Sequence, residues 1–149
     1  MLQRTDASQY QTYLNPGGGA LPANYTVTAT IPESCLALPF FGLVGRYANG
    51  TGVRVLWTNN RTTLTMGDAS DWGAGAVTVV ADNAYPASWS QNVTHTVAIR
   101  MTGTLVEVFA DGVLVAHATI TTNAALTGTS YGFCGEGVNR LVDSVATSV

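Results

Sequence analysis

Two aspartates and two aromatic residues around a glycine-rich segment have the side chains that ligand binding would require. Asp68 and Asp71 lie in GDASDWGAGA at residues 67–76, and carboxylate oxygens are ligands that calcium prefers. Trp72 in the same segment and Tyr85 downstream have aromatic faces suited to stacking on a sugar ring. The structural alternative is that the aspartates close Asx turns beside glycines with positive φ. No cofactor is predicted apart from calcium as an alternative, and the candidate ligand-binding residues are Asp68, Asp71, Trp72 and Tyr85.

The arrangements that catalysis requires are missing from the sequence. Glycoside hydrolysis requires two convergent carboxyl groups, and alternate positions of one strand would place them on one face. Glu107 and Asp111 are four residues apart, but Asp111 falls in a predicted turn. Ser130 occupies the serine position of a G-x-S-x-G pattern, whose mechanism requires a following helix and a later histidine. Because His95 and His117 both precede Ser130, we predict that the protein is not an enzyme.

The histidines and cysteines have the residue types of a zinc site without its spacing. His95, His117, Cys35 and Cys134 form no diagnostic pattern, so no metal centre is predicted from them. Partly buried histidines, each hydrogen-bonded to a backbone carbonyl, are the simpler interpretation. For the cysteines two states remain open, a disulfide formed in an oxidising compartment or two buried free thiols.

The composition indicates one domain with a weakly charged surface. The chain has 149 residues, of which 46% are hydrophobic and 10% charged, and its net charge is −3. All six basic residues are scattered arginines, so no basic face for nucleic acid is expected. The longest apolar run, Leu36 to Val44, is interrupted by Pro39 and is too short to cross a membrane. So few charges suit a subunit of an assembly, and we expect a homo-oligomer.

Short strand-like segments recur along the chain with turn residues between them. The predicted strands are Gln9–Leu14, Tyr25–Ile31, Phe41–Tyr47, Val53–Thr58, Thr62–Met66, Ala76–Ala81, Thr94–Met101, Leu105–Ala110, Val113–Thr121, Ser130–Cys134 and Leu141–Thr147. Many short strands without an amphipathic helix predict an all-β, two-sheet antiparallel jelly-roll sandwich over residues 1–149. Residues 1–19 are predicted to form either the first strand or an arm that contacts a neighbouring subunit.

Asp111-Gly112 between two runs of β-branched residues predicts a β-hairpin. A type I′ turn requires positive φ at both central positions, which these residue types tolerate. The register that follows pairs Ala110 with Val113, Val108 with Val115 and Val106 with His117. The predicted core face comprises Val106, Val108, Val113 and Val115. The opposite face is also apolar, so we expect a loop, a second layer or another subunit to cover Leu105, Phe109 and Leu114.

The order of these elements resembles the laminin-G-like, concanavalin-A-like jelly roll. The segments that carry the resemblance are YTVTATI, FGLVGRYANGTGVRVLW, a tryptophan ahead of a strand (Trp89), GTLVEVFADGVLV and the closing LVDSVATS. It covers roughly Tyr25 to the C terminus. The resemblance implies a two-sheet sandwich in which VEVFADGVLV is the core hairpin and Trp89 is structural.

Laminin-G-like modules of this kind are familiar in bacteriophage virions, as tail proteins and capsid decorations. MLQRTDASQY at the N terminus has no apolar segment typical of a secretory signal, so we expect a protein that leaves the cell within a particle. The leading hypothesis is a non-enzymatic virion-surface protein that stabilises the capsid or tail, contacts other virion proteins and touches host glycans. The alternative is a free carbohydrate-binding module. A glycosidase is disfavoured by the missing carboxylate pair.

Overall fold

The described part of the chain folds into β-strands that pair antiparallel. In the computed structural model the described residues are 2–3, 11–14, 23–31, 40–48, 51–58, 61–68, 78–84, 93–119, 130–135, 141–142 and 144–148. Side chains are described for residues 23–31, 42–46, 52–55, 93–119, 130–133 and 148. The strands are β1 (Leu2–Gln3), β2 (Gln11–Leu14), β3 (Tyr25–Ile31), β4 (Phe40–Ala48), β5 (Thr51–Thr58), β6 (Arg61–Asp68), β7 (Thr78–Ala84), β8 (His95–Thr102), β9 (Leu105–Ala110), β10 (Val113–Thr119), β11 (Ser130–Gly135), β12 (Leu141–Val142) and β13 (Ser144–Ser148). Among these residues no helix is long and apolar enough to cross a membrane.

Two large antiparallel sheets form the sandwich. The five-stranded sheet has the order β10-β9-β8-β3-β13, and the six-stranded sheet has the order β2-β11-β4-β5-β6-β7. The short strands β1 and β12 pair with each other in a third, two-stranded sheet. This architecture confirms the predicted all-β, two-sheet antiparallel fold.

The core lies between the two large sheets. Burial alternates along β3, β8 and β9, because successive side chains of a strand point to opposite faces. The five-stranded sheet contributes Tyr25, Val27, Ala29, Ile31, Val97, Ile99, Met101, Val106, Val108 and Ala110 to the core, and the six-stranded sheet contributes Leu43, Val53, Val55 and Phe133. A Cβ atom added at Gly45 would lie 2.6 Å from Cε of Met101. The glycine therefore leaves room for the side chain of Met101 between the two sheets.

Arg46 joins the two sheets at one end of the sandwich. Its side chain is 2% exposed, and its backbone has a φ of 48° where the register of β4 shifts. The guanidinium donates hydrogen bonds of 2.6 Å to the carbonyl oxygens of Ala23 and Gly103, which flank strands of the five-stranded sheet. The backbone N–H of Arg46 donates to the hydroxyl of Tyr25 at 2.6 Å. We call this set of three hydrogen bonds the Arg46 clamp.

The turn between β9 and β10 confirms the predicted hairpin. Asp111 and Gly112 have φ values of 49° and 78°, the positive values that a type I′ turn requires. The turn is also tied to β8: Oδ1 of Asp111 accepts from the N–H of Thr96 at 2.9 Å, and the N–H of Asp111 donates to the carbonyl of Thr96 at 2.7 Å. Nδ1 of the buried His95 lies 2.5 Å from Oδ2 of Asp111. The aspartate thus fixes both the turn and its position against the neighbouring strand.

A β-bulge in β10 makes the predicted register wrong beyond Leu114. Val113 lies opposite Ala110 as predicted, but the later pairs are Ala116 with Val108, His117 with Glu107 and Ala118 with Val106. An extra residue in one strand moves every later side chain to the other face. Ala116 is therefore buried where Val115 was predicted, and Val115 is half-buried. The predicted core position of Val113 is also wrong, since this residue follows the turn at the sheet edge and is 55% exposed.

The remaining strands agree with the prediction in approximate position, apart from one split and the short strand β1, which was not predicted. β3 and β9 have the predicted ends. The segment predicted as one strand, Leu141–Thr147, forms β12 and β13, which pair with β1 and β3 in different sheets. Within residues 1–19, β2 pairs with β11 at the edge of the six-stranded sheet.

Candidate functional site

The sequence-predicted binding residues lie mostly outside the described part of the chain. Asp71, Trp72 and Tyr85 are not among the described residues. Asp68 is the last residue of β6 and pairs with Thr51 of β5, with its backbone alone described. Calcium binding by the aspartates and sugar stacking by the aromatic residues therefore remain predictions.

The two histidines lie on opposite faces of the five-stranded sheet. His95 is 3% exposed on the core face, whereas His117 is exposed on the outward face opposite Glu107. One ion cannot be held by side chains on both sides of a sheet, so no zinc site combines them. Among the described residues, no three His, Cys, Asp or Glu side chains form a group that could hold a metal. Cys35 and the side chain of Cys134 lie outside the described parts, so the disulfide and the free thiols both remain open.

A shallow groove of about 270 Å³ lies on the outward face of the five-stranded sheet. Its lining residues come from β3, β8, β9 and the turn after β9. Burial alternates along these strands, so the residues that flank each of their lining residues in sequence face the core. We call this surface the outer groove, lined by Thr26, Thr28, Thr96, Ala98, Arg100, Phe109 and Gly112.

Cross-strand pairing arranges this outward face in rows of different chemistry. The observed rows are Thr28–Ala98–Phe109–Leu114 and Thr26–Arg100–Glu107–His117. One row is apolar and the adjacent row is charged, and each begins with a threonine hydroxyl. The predicted apolar stripe is thus present; Leu114 is 46% exposed in the single chain, and its cover by another subunit stays a prediction. Leu105 and Phe109 are half-buried.

Arg100 is held in a defined position at the groove. Its Nε donates to Oε2 of Glu107 at 2.8 Å, and its guanidinium carbon lies 4.8 Å from the centroid of the Phe109 ring. This hydrogen bond raises the pKa of Arg100 and lowers the pKa of Glu107, so both groups are charged at neutral pH. The Arg100 side chain is 50% exposed, and the described residues place no hydrogen-bond partner on its Nη atoms. The groove therefore presents Arg100 as a hydrogen-bond donor, and the carboxylate of Glu107 lies beside this donor at the border of the groove.

Sequence reasoning missed Arg100 and Glu107 because their contact depends on strand register. The two residues are seven apart and lie on different strands. A two-residue turn beginning at Gly103, which has a φ of 54°, pairs Thr102 with Leu105 and hence Arg100 with Glu107. Counting outward from that glycine turn would have placed the opposite charges side by side.

The centre of the six-stranded sheet is covered on both faces. Leu43 and Val44 are consecutive, point to opposite faces and are both fully buried. Val44 pairs with Arg54 on the face away from the core, and Arg54 is 4% exposed. Among the side chains that the structure describes, the open sheet face is therefore that of the five-stranded sheet.

Comparison with known proteins finds similarity in structure but not in sequence. No family model matches the chain, and no curated protein matches it. Carbohydrate-binding module CBM66 from Bacillus subtilis matches with a TM-score of 0.71 at 12% identity, over 97% of this chain and 84% of that one. The Caenorhabditis elegans galectin LEC-6 matches with a TM-score of 0.63 at 14% identity, over 93% and 91% of the two chains. Sheep galectin-11 matches with a TM-score of 0.60 at 12% identity, over 93% and 98%.

The chain has a concanavalin-A-like β-sandwich fold. This confirms the fold that the sequence resemblance implied, because the matched module and galectins are sandwiches of that kind and the match spans nearly the whole chain. At these identities the likeness concerns the fold alone. The relation to bacteriophage proteins, the virion location and the virion partners remain predictions.

Proposed function

We propose that the protein is a non-catalytic carbohydrate-binding module that contacts sugar through the outer groove. The observation that carries this proposal is the arrangement of the outward face, where an apolar row lies directly beside a row of hydrogen-bonding side chains. A sugar ring has the complementary arrangement, since its C–H patches are bordered by hydroxyl groups. Recognition sites for small molecules combine apolar surface with a few placed polar groups in the same way.

The size of the groove limits how much sugar it can contact. Its volume of about 270 Å³ lies just under the range of roughly 300–1,000 Å³ for drug-sized ligands. A groove of this size suits one or two sugar rings rather than a long segment of polysaccharide. Such a small contact area predicts weak binding, with a Kd on the order of 0.1–1 mM.

Fold similarity supports the same proposal, as does the absence from the sequence of a strand with carboxylates at alternate positions. CBM66 is, by its name, a carbohydrate-binding module, and it matches 97% of this chain in structure. Glycoside hydrolysis would require a second carboxyl group facing Glu107 across a sugar, whereas Glu107 is hydrogen-bonded to Arg100. Binding without catalysis is therefore the function that we assign to this face.

A glycan array followed by calorimetry tests the proposal. We expect the wild-type chain to bind at least one glycan on the array, with a measurable heat of binding in solution. Ala98→Gln places a longer side chain on the floor of the groove and should abolish that binding. Thr119→Gln is the matched control, because Thr119 is exposed on β10 outside the groove and the variant should bind like wild type. Absence of any glycan binding by the wild-type protein would overturn the proposal, and binding unchanged by Ala98→Gln would exclude the outer groove.

A further inference from the structure

The Arg100–Glu107 pair indicates which class of sugar the outer groove binds, an inference that rests on the proposed function. We infer that the ligand is a neutral sugar, and that Arg100 and Glu107 recognise two adjacent hydroxyl groups of its ring. Arg100 donates hydrogen bonds to one hydroxyl oxygen, and Glu107 accepts the hydrogen of the neighbouring hydroxyl. Both residues are specificity-determining rather than catalytic.

The position of Arg100 suits it to this role. The hydrogen bond to Glu107 and the contact with the Phe109 ring restrict the guanidinium on two sides, so little side-chain freedom remains to be lost on binding. The side chain is 50% exposed, and its Nη atoms have no hydrogen-bond partner among the described residues. They are the donors that a hydroxyl oxygen in the groove would meet.

The charges on this face favour a neutral ligand over an acidic one. Arg100 is the charged residue that lines the groove, and Glu107 beside it already balances its charge. A ligand carboxylate that approached the guanidinium would therefore meet the like charge of Glu107. A hydroxyl group both donates and accepts, so two adjacent hydroxyls satisfy the donor and the acceptor together. Neither Glu107 nor His117 lines the groove; Glu107 borders it as the neighbour of Arg100, and His117 lies one strand farther away.

Threonine hydroxyls extend the same chemistry along the groove. Thr26 lies directly opposite Arg100, and Thr28 lies opposite Ala98. Both are half-buried and line the groove, where each hydroxyl can donate one hydrogen bond and accept others. A ring seated over Ala98 would thus have the charged pair and the threonine side chains within its reach.

Calorimetry with paired neutral and acidic sugars tests the inference. The probes are methyl glycosides of neutral hexoses and of the matching hexuronates, titrated into the full chain at about pH 7. We expect the wild-type protein to prefer the neutral member of a pair. Glu107→Gln should weaken neutral-sugar binding about tenfold and strengthen hexuronate binding, because the charge of Arg100 is no longer balanced. The ratio of the two affinities should therefore fall by more than tenfold, a change that loss of folding alone would not produce.

Three further variants complete the test. Glu107→Asp retains the charge but withdraws the acceptor, so it should weaken neutral sugars without strengthening hexuronates. Thr28→Val should weaken binding about fivefold, and Thr119→Val, its control outside the groove, should stay within about twofold of wild type.

Each outcome separates this inference from the function on which it rests. Failure of the wild-type protein to bind any sugar contradicts the proposed function itself. Wild-type preference for hexuronates, or an affinity ratio that Glu107→Gln leaves unchanged, contradicts the neutral-sugar assignment while leaving carbohydrate binding intact.

Discussion

Replacing Arg46 with methionine removes the guanidinium of the Arg46 clamp and leaves an apolar side chain of similar length. The change deletes the hydrogen bonds to the carbonyls of Ala23 and Gly103, which are 2.6 Å each. It leaves the backbone N–H that donates to Tyr25, and it keeps a non-glycine residue at the φ of 48°. The backbone strain is thus equal in both proteins, and the comparison isolates the guanidinium.

The expected loss of stability is about 2 kcal/mol. Hydrogen bonds from a charged donor contribute roughly 1.5–3 kcal/mol each, and the lower figure applies here because Ala23 and Gly103 are exposed and their carbonyls can bind water instead. Two such bonds amount to about 3 kcal/mol. About 1 kcal/mol of this loss is offset, because Arg46→Met no longer buries a cation whose Nε has no described hydrogen-bond partner.

Urea unfolding followed by far-UV circular dichroism measures this loss. Arg46→Met should lower the midpoint without changing the m-value, since the folded and unfolded surfaces stay similar. Arg46→Lys should fall between the two proteins, because one ammonium group cannot reproduce two separate guanidinium donors. Arg100→Met, on the open face of the sheet, serves as the control and should have a much smaller effect. If the free energy of unfolding of Arg46→Met lay within about 0.5 kcal/mol of the wild-type value, the guanidinium would not hold the two sheets together.

Three further changes test other parts of the fold. Gly45→Ala should lower the free energy of unfolding by about 1–3 kcal/mol, because the new Cβ would meet the buried side chain of Met101. Adding Met101→Val should recover part of that loss, and purely additive effects of the two substitutions in urea unfolding would refute the contact. Asp111→Asn should lower the free energy of unfolding by about 1–2 kcal/mol, because an amide has one oxygen for the two contacts that the carboxylate makes with β8. Asp111→Gly should lower it further, although glycine relieves the strain of the positive φ. Equal stability of wild type and both variants would contradict the role of Asp111 in fixing the turn against β8. The pKa of Glu107 is lowered from 4.5 in the folded state, so its contribution to stability is present above that pH and is lost as the pH falls through the folded pKa. The stability difference between wild type and Glu107→Gln should shrink in acid, and a difference independent of pH would argue against the ion pair.

Local backbone chemistry made much of the fold predictable. Asp111-Gly112 predicts its turn because few residue pairs tolerate positive φ at both central positions. Tyr25–Ile31 predicts β3 because threonine alternates with apolar residues through the whole segment, and the burial pattern follows that alternation. In both cases the prediction depends only on the residues of the segment itself.

Features that depend on distant partners were not predictable in the same way. Leu114, Val115 and Ala116 are all apolar, so the bulge could move the register by one residue without burying a polar group. The acceptors of the Arg46 guanidinium are backbone carbonyls 23 and 57 residues away, and a carbonyl has no sequence signature. The outer groove likewise combines residues from separate strands whose register has to be known first.

The bulge after Leu114 has a consequence for aggregation. It lies in β10, which is an edge strand of the five-stranded sheet. A regular edge presents evenly spaced N–H and C=O groups on which a second chain can extend the sheet, and a bulge disrupts that spacing. With charged residues at 10% of the chain, electrostatic repulsion offers little protection against such pairing. The irregular edge therefore provides a safeguard that the charge content does not, and ordered self-association of this protein is expected to use a surface other than the edge of β10.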